Sequence, residues 1–121
     1  MHRILIVDDN SDDAALFTKI LAHAGYSVSN LDSGKLGLKA IQENVFDLVI
    51  LDLSMPDMDG LEILRAIRNL STKPKVLVVS GFMQGKMLHA ARALGASVAL
   101  EKTGILDALL PTVRKLLGDA D

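Results

Sequence analysis

The chain has no cysteine, and only 3% of its residues are aromatic. Without cysteine, disulfides and thiolate metal sites are excluded. With so few aromatic rings, the core has to be built from Leu, Ile, Val, Ala and Met, a composition that suits helices packed on a parallel sheet. Basic excess is missing too: 13 Lys and Arg stand against 15 Asp and Glu, for a net charge of −2. That leaves no electrostatic footprint for nucleic acid and no polybasic patch for a membrane surface. No apolar stretch approaches the ~20 residues that a membrane-spanning helix needs. Met1-His2-Arg3 runs straight into a strand-like segment, with none of the features of a signal peptide. A soluble, cytoplasmic protein is expected. Nor is there an internal repeat, a low-complexity tract or a linker, so residues 1–121 are expected to form one domain of ordinary size.

What the chain does contain is an alternation of short apolar runs with longer segments of helical period, the pattern of βαβ units. Strands are predicted at Arg3 to Val7, Ser27 to Asn30, Leu48 to Leu51, Lys75 to Val79 and Ser97 to Glu101. The second is short and half polar, which places it at a sheet edge; the third is apolar throughout, hence central. The first helix follows Asn10-Ser11, either of which can cap it, and carries a stripe of Phe17, Ile20, Leu21 and Ala24. Gly25 suits the left-handed position that ends such a helix. Helix two is assigned the stripe Leu36, Leu38, Ala40 and Ile41, and helix three Leu61, Ile63, Leu64, Ala66 and Ile67. Helix four carries Met87, Leu88, Ala91 and Leu94 and ends at Gly95. Helix five spans Ile105 to Leu117, where Pro111 either kinks it or sits near a start delayed by about two turns.

Four of the apolar runs end in reactive side chains: Asp8-Asp9, Asp52, Ser80 and Lys102. On parallel strands these endings share one sheet edge, the edge at which open α/β sheets bind their ligands. Two carboxylates ~4 Å apart repel by about 4 kcal/mol at an effective dielectric of 20. A bound cation reverses that sign, and Mg²⁺ is the natural candidate, being held by one or two carboxylates, water and a phosphate. An aspartate can itself accept a phosphoryl group. Charge neutralisation, rather than further covalent chemistry, is then the main requirement. Lys102 can share in it, and the Ser80 hydroxyl can donate to a phosphoryl oxygen.

In this order and at these spacings, the residues resemble the receiver domain of two-component response regulators, over essentially the whole chain. The marks are Asp8-Asp9 after strand one, and Asp52 ahead of Ser54-Met55-Pro56-Asp57-Met58-Asp59-Gly60. Ser80-Gly81 follows strand four, Gly95-Ala96 precedes strand five, and Lys102 closes it. The resemblance implies a doubly wound five-stranded parallel sheet of order 2-1-3-4-5, a flavodoxin-like three-layer sandwich. It implies Asp52 as phosphoacceptor; Asp8, Asp9, Asp52 and the Ser54 backbone carbonyl as Mg²⁺ ligands; and Ser80, Gly81 and Lys102 as the residues that meet the phosphoryl group. A histidine kinase or phosphotransfer protein would be the donor, and a downstream effector the target, reached through helix four, strand five and helix five. Asn10, Asp12, Leu16, Phe82 and Met83 would lie on the partner surface. No external substrate is expected.

Two positions depart from the family. Ala99 stands where an aromatic residue usually gates the output face, and Thr103 stands where proline usually follows the lysine, often through a cis bond. A cis bond before a non-proline costs roughly 3 kcal/mol. Lys102–Thr103 is therefore expected to be trans with a locally different loop, or a strained cis bond. These departures keep a phosphate-independent interaction module in view as an alternative. An Asp-nucleophile phosphohydrolase is disfavoured because Ser54, not an acid, lies two residues past Asp52. A nucleotide-binding domain is disfavoured because no Gly-rich loop follows strand one. Asp57 and Asp59 read as turn and capping residues, the three histidines as surface residues, and the methionines as core filler or flexible contact surface.

Overall fold

The structure, a computed structural model, describes residues 1–55, 60–81 and 85–119, with residues 85–88 described by backbone alone. Its elements are β1 (Arg3–Val7), α1 (Ser11–His23), β2 (Ser27–Leu31), α2 (Gly34–Glu43), β3 (Leu48–Asp52), α3 (Gly60–Arg68), β4 (Lys75–Ser80), α4 (Gly85–Ala93), β5 (Val98–Glu101) and α5 (Ile105–Leu117). The five strands are parallel and lie in the order β2-β1-β3-β4-β5. This is the doubly wound sheet expected from the sequence.

Because strand side chains alternate between faces, each central strand feeds two cores. Leu5, Val7, Val49, Leu51, Val76 and Val78 join the core under α2, α3 and α4. Their neighbours Ile4, Ile6, Leu48, Ile50, Leu77 and Val79 join Phe17 and Leu21 of α1 and Leu109 and Val113 of α5 on the other face. The edge strand β2 is mostly exposed, as its polar sequence predicts. Among the described residues, no helix is long and apolar enough to cross a membrane.

One expectation for α2 is overturned. Leu36 is not in the core but 51% exposed, and the buried residues are Gly34, Gly37 and Ile41. A Cβ at Gly37 would sit 2.7 Å from Val7 Cγ1. Helix α2 therefore rides close against β1 at Gly37, and Leu36, roughly 100° around from Gly37, is turned to water. Gly25 has a φ of 100° just past α1, as expected. Pro111 lies inside α5, which begins at Ile105 without delay. Met87 and Leu88, whose side chains were assigned to the α4 stripe, lie outside the described side chains, as do Pro56, Asp57, Met58 and Asp59 of the turn.

Gly60 marks a second close approach. A Cβ there would stand 2.9 Å from the Leu53 Cα and 2.8 Å from Leu53 Cδ2. Backbone cannot swing aside as a flexible side-chain end can. Gly60→Ala is expected to destabilise the fold by about 2 kcal/mol, read as a lower urea midpoint with an unchanged slope.

At the opposite end of the sheet from Asp52, one carboxylate ties the beginning of β1 to the end of α5. The Tyr26 hydroxyl donates to Asp119 Oδ2 at 2.8 Å, and His2 Nδ1 lies 3.1 Å from the same oxygen. The two rings stack with centroids 6.3 Å apart. Burial and then the Asp119 contact push the Tyr26 phenol up to about 12. His2 is thus a half-buried bridging residue rather than a plain surface histidine. His23 and His89 are exposed.

Candidate functional site

At the C-terminal edge of the sheet, two aspartates are fixed by the same local device. Asp8 Oδ1 accepts from the Asn10 amide at 2.9 Å, and Asp52 Oδ1 accepts from the Ser54 amide at 2.9 Å. Each carboxylate bonds the backbone two residues on, as short acidic side chains do in turns. Each thereby commits one oxygen and leaves the other facing the crevice.

Those second oxygens meet Lys102. Its Nζ lies 2.8 Å from Asp8 Oδ2 and 3.3 Å from Asp52 Oδ2. The ammonium is held in place by backbone geometry: the Lys102 amide donates to the Ser80 carbonyl at 2.9 Å, and the Lys102 carbonyl accepts from the Ile105 amide at 3.2 Å. Among the described residues there is no cis peptide bond, so Lys102–Thr103 is trans. The loop closes instead through Gly104, with a φ of 74°, directly ahead of α5. Ala99 is half-buried beside the core under α2, α3 and α4.

Asp8 and Asp52 are buried, whereas Asp9 is exposed. One oxygen from each of the three lies within 4.8 Å of the others. Asp8 Oδ2 is buried, and the Lys102 ammonium lies 2.8 Å from it. Three carboxylate oxygens so close together are the donor set that a hard divalent cation takes. The residues present therefore fit such an ion.

The electrostatics agree. Burial, reinforced by the Asp52 charge, raises the Asp8 carboxyl above its ordinary 3.8, against lowering contacts from Lys102 and the Asn10 amide. Burial alone would lower Lys102, but Asp13, Asp8 and Asp52 together outweigh it and hold the ammonium above its ordinary 10.5. A raised carboxyl in the folded state means that the folded chain keeps a proton the unfolded chain releases. Stability from this group is present below pH 3.8 and is lost as pH rises through the raised value. In metal-free buffer, Asp8→Asn is accordingly expected to unfold at higher urea than the wild type at pH 7, with the gap closing in acid.

The structure brings Ser80 to the same crevice. It is fully buried, and its Oγ lies 2.8 Å from Ser54 Oγ. Beyond the backbone carbonyl expected as a metal ligand, the Ser54 amide and hydroxyl both form contacts at the crevice. A Cβ at Gly81 would meet no heavy atom of the described residues within 4 Å. Asn10 caps α1 by accepting from the Asp13 amide at 3.0 Å, while Asp12 and Leu16 face outward as expected. Phe82 and Met83 lie outside the described residues.

Asp13 was missed. Its Oδ2 accepts from Lys102 Nζ at 2.8 Å, a contact across 89 positions of sequence. The one local signal was the acid three residues after the Asn10 cap. Such an acid usually turns back to the cap's own amide. Here the Asn10 amide is already taken by Asp8, which leaves the Asp13 carboxylate for Lys102.

The response regulator receiver domain family matches residues 4–114. The chain belongs to this family. The receiver domain is 31% identical over 117 residues to the response regulator receiver protein CpdR of Brucella abortus, covering 97% of this chain and 98% of that one. Among solved structures, it superposes with a TM-score of 0.92 on a CheY-like receiver domain protein from Methanospirillum hungatei, at 29% identity, covering 98% of this chain and 94% of that chain. It superposes at 0.86 on the response regulator TrrA of Thermotoga maritima, at 32% identity and covering 97% and all of the respective chains. That TrrA crystal structure is a complex with Mg²⁺ and BeF. As a receiver domain, the chain is a phosphorylation-dependent signalling module of two-component systems.

Proposed function

We propose that Asp52 accepts a phosphoryl group from a phosphohistidine of a kinase or phosphotransfer protein, with Mg²⁺ held by Asp8, Asp9, Asp52 and the Ser54 carbonyl. The single observation that carries this reading is the convergence of the Asp8, Asp9 and Asp52 carboxylates at the sheet edge beside Lys102. The Asp52 carboxylate attacks phosphorus as the phosphorus–nitrogen bond breaks. The electron pair returns to the imidazole ring. When bound, the divalent ion would offset the charge of the acids and of the phosphoryl oxygens. Lys102 supplies a further positive charge within reach of Asp52. Ser80 supplies a hydroxyl that leaves Ser54 to meet the new acceptor, and Gly81, having no side chain of its own, leaves room for the phosphoryl oxygens. Movement of Ser80 and Lys102 would carry the signal to α4, β5 and α5. The outward faces of Asn10, Asp12 and Leu16 beside the crevice suit the docking of the donor protein.

Amide NMR spectra recorded with Mg²⁺, without and with beryllofluoride, test the reading. Shifts around Asp52 that reach Ser80, Lys102 and the α4, β5 and α5 segments are expected. An unchanged spectrum would assign the chain to a phosphate-independent interaction module.

A further inference from the structure

Among the described residues, Lys102 has three carboxylates within reach, and only two of them belong to the divalent site proposed above. Nζ lies 2.8 Å from Asp8 Oδ2, 2.8 Å from Asp13 Oδ2 and 3.3 Å from Asp52 Oδ2. The ammonium and a divalent cation would contest the same Asp8 and Asp52 oxygens. Asp13 stands outside the converging group of Asp8, Asp9 and Asp52. It sits on the first turn of α1 with a side chain 35% exposed, at the rim of the crevice rather than in its floor. Its carboxylate is therefore open to the ammonium without being shared with the ion.

We infer that Asp13 is a positioning residue: the partner onto which the Lys102 ammonium withdraws when a divalent cation takes Asp8 and Asp52. A doubly charged ion entering beside a fixed ammonium is repelled by it. A lysine on a flexible four-carbon stem can give up Asp8 if it keeps another carboxylate. Asp13, already 2.8 Å from Nζ, provides that second resting place. It lowers the electrostatic cost of loading the site and retains the ammonium close to Asp52. The inference rests on the divalent-site reading and adds to it a residue that the three-acid pattern does not contain.

The test is a Mg²⁺ titration followed by amide NMR on four full-length chains: wild type, Asp13→Asn, Lys102→Met and the double variant. Asp13→Asn should bind Mg²⁺ roughly five-fold more weakly than the wild type, the size of a partly exposed ion-pair contribution. In the Lys102→Met background the same change should alter affinity by less than about two-fold, because the residue through which Asp13 acts is gone. Should Asn loosen the first turn of α1, seen directly in the metal-free spectrum, Asp13→Ser replaces it. Equal affinity of Asp13→Asn and wild type overturns the inference. So does an undiminished loss in the Lys102→Met background, which would mean that Asp13 acts on the ion directly. A wild type whose Asp8, Asp9 and Asp52 amides do not respond to Mg²⁺ overturns the divalent site itself, and the inference with it.

Discussion

An Asp52→Asn chain, incubated with Mg²⁺ and a small acyl phosphate, is expected to lose phosphoryl uptake by at least roughly 10³-fold, since a carboxamide offers no anionic nucleophile. Intact mass reads the result directly. The substitution preserves shape, so the loss reports chemistry rather than packing. It also removes one of the three acids that converge at the crevice, and with it the like charge that acts on Asp8. The metal-free variant should therefore be at least as resistant to urea as the wild type. Loss of uptake with retained stability is the signature of a reacting residue. Uptake at the wild-type rate would shift the acceptor to another acid, with Asp8 and Asp9 the first to examine.

Lys102→Met is expected to have the largest effect on stability. Among the described residues, the ammonium is the one positive charge in contact with Asp8, Asp13 and Asp52, and its side chain is only 15% exposed. Removing one partner of a buried ionic group leaves the remainder uncompensated, a loss of about 3 kcal/mol. For a chain of this length that corresponds to a fall in melting temperature of about 10 °C. The pH dependence has a definite sign. A lysine held above its ordinary value contributes stability that is whole below pH 10.5 and is lost as pH rises through the raised value. The gap between wild type and variant should therefore shrink in strong alkali. Mg²⁺ should raise the melting temperature of the variant more than that of the wild type, because the ion no longer competes with an ammonium. Equal melting temperatures at neutral pH would show that the cluster is solvated enough to need no counter-charge.

Strand assignments were legible in the sequence because β1, β3 and β4 are short apolar runs bounded by polar residues, and buried parallel strands leave that mark. Asp8, Asp9, Asp52, Ser80 and Lys102 were legible because each follows such a run, so topology alone gathers them at one edge. Leu36 was misplaced because hydrophobic periodicity gives glycine no weight, whereas α2 buries Gly34 and Gly37. Asp13 and the Ser54–Ser80 hydroxyl contact were invisible for another reason. Each joins segments remote in sequence, and each depends on where a side chain finds an open hydrogen-bonding partner after local turns and caps have taken theirs.

The His2–Tyr26–Asp119 contact has a mechanical consequence. It fastens the start of β1 and the end of α5 at one corner. Asp52 lies at the other end of the parallel strands, and five residues of strand span about 16 Å. Any polypeptide fused at either end would share a single anchorage, remote from the chemistry. A change at Asp52 would reach cargo on that anchorage across the length of the sheet or by way of the α4, β5 and α5 surface. A circularly permuted chain, opened elsewhere and joined across this corner by a short bridge, would keep the same crevice while moving the attachment point next to it.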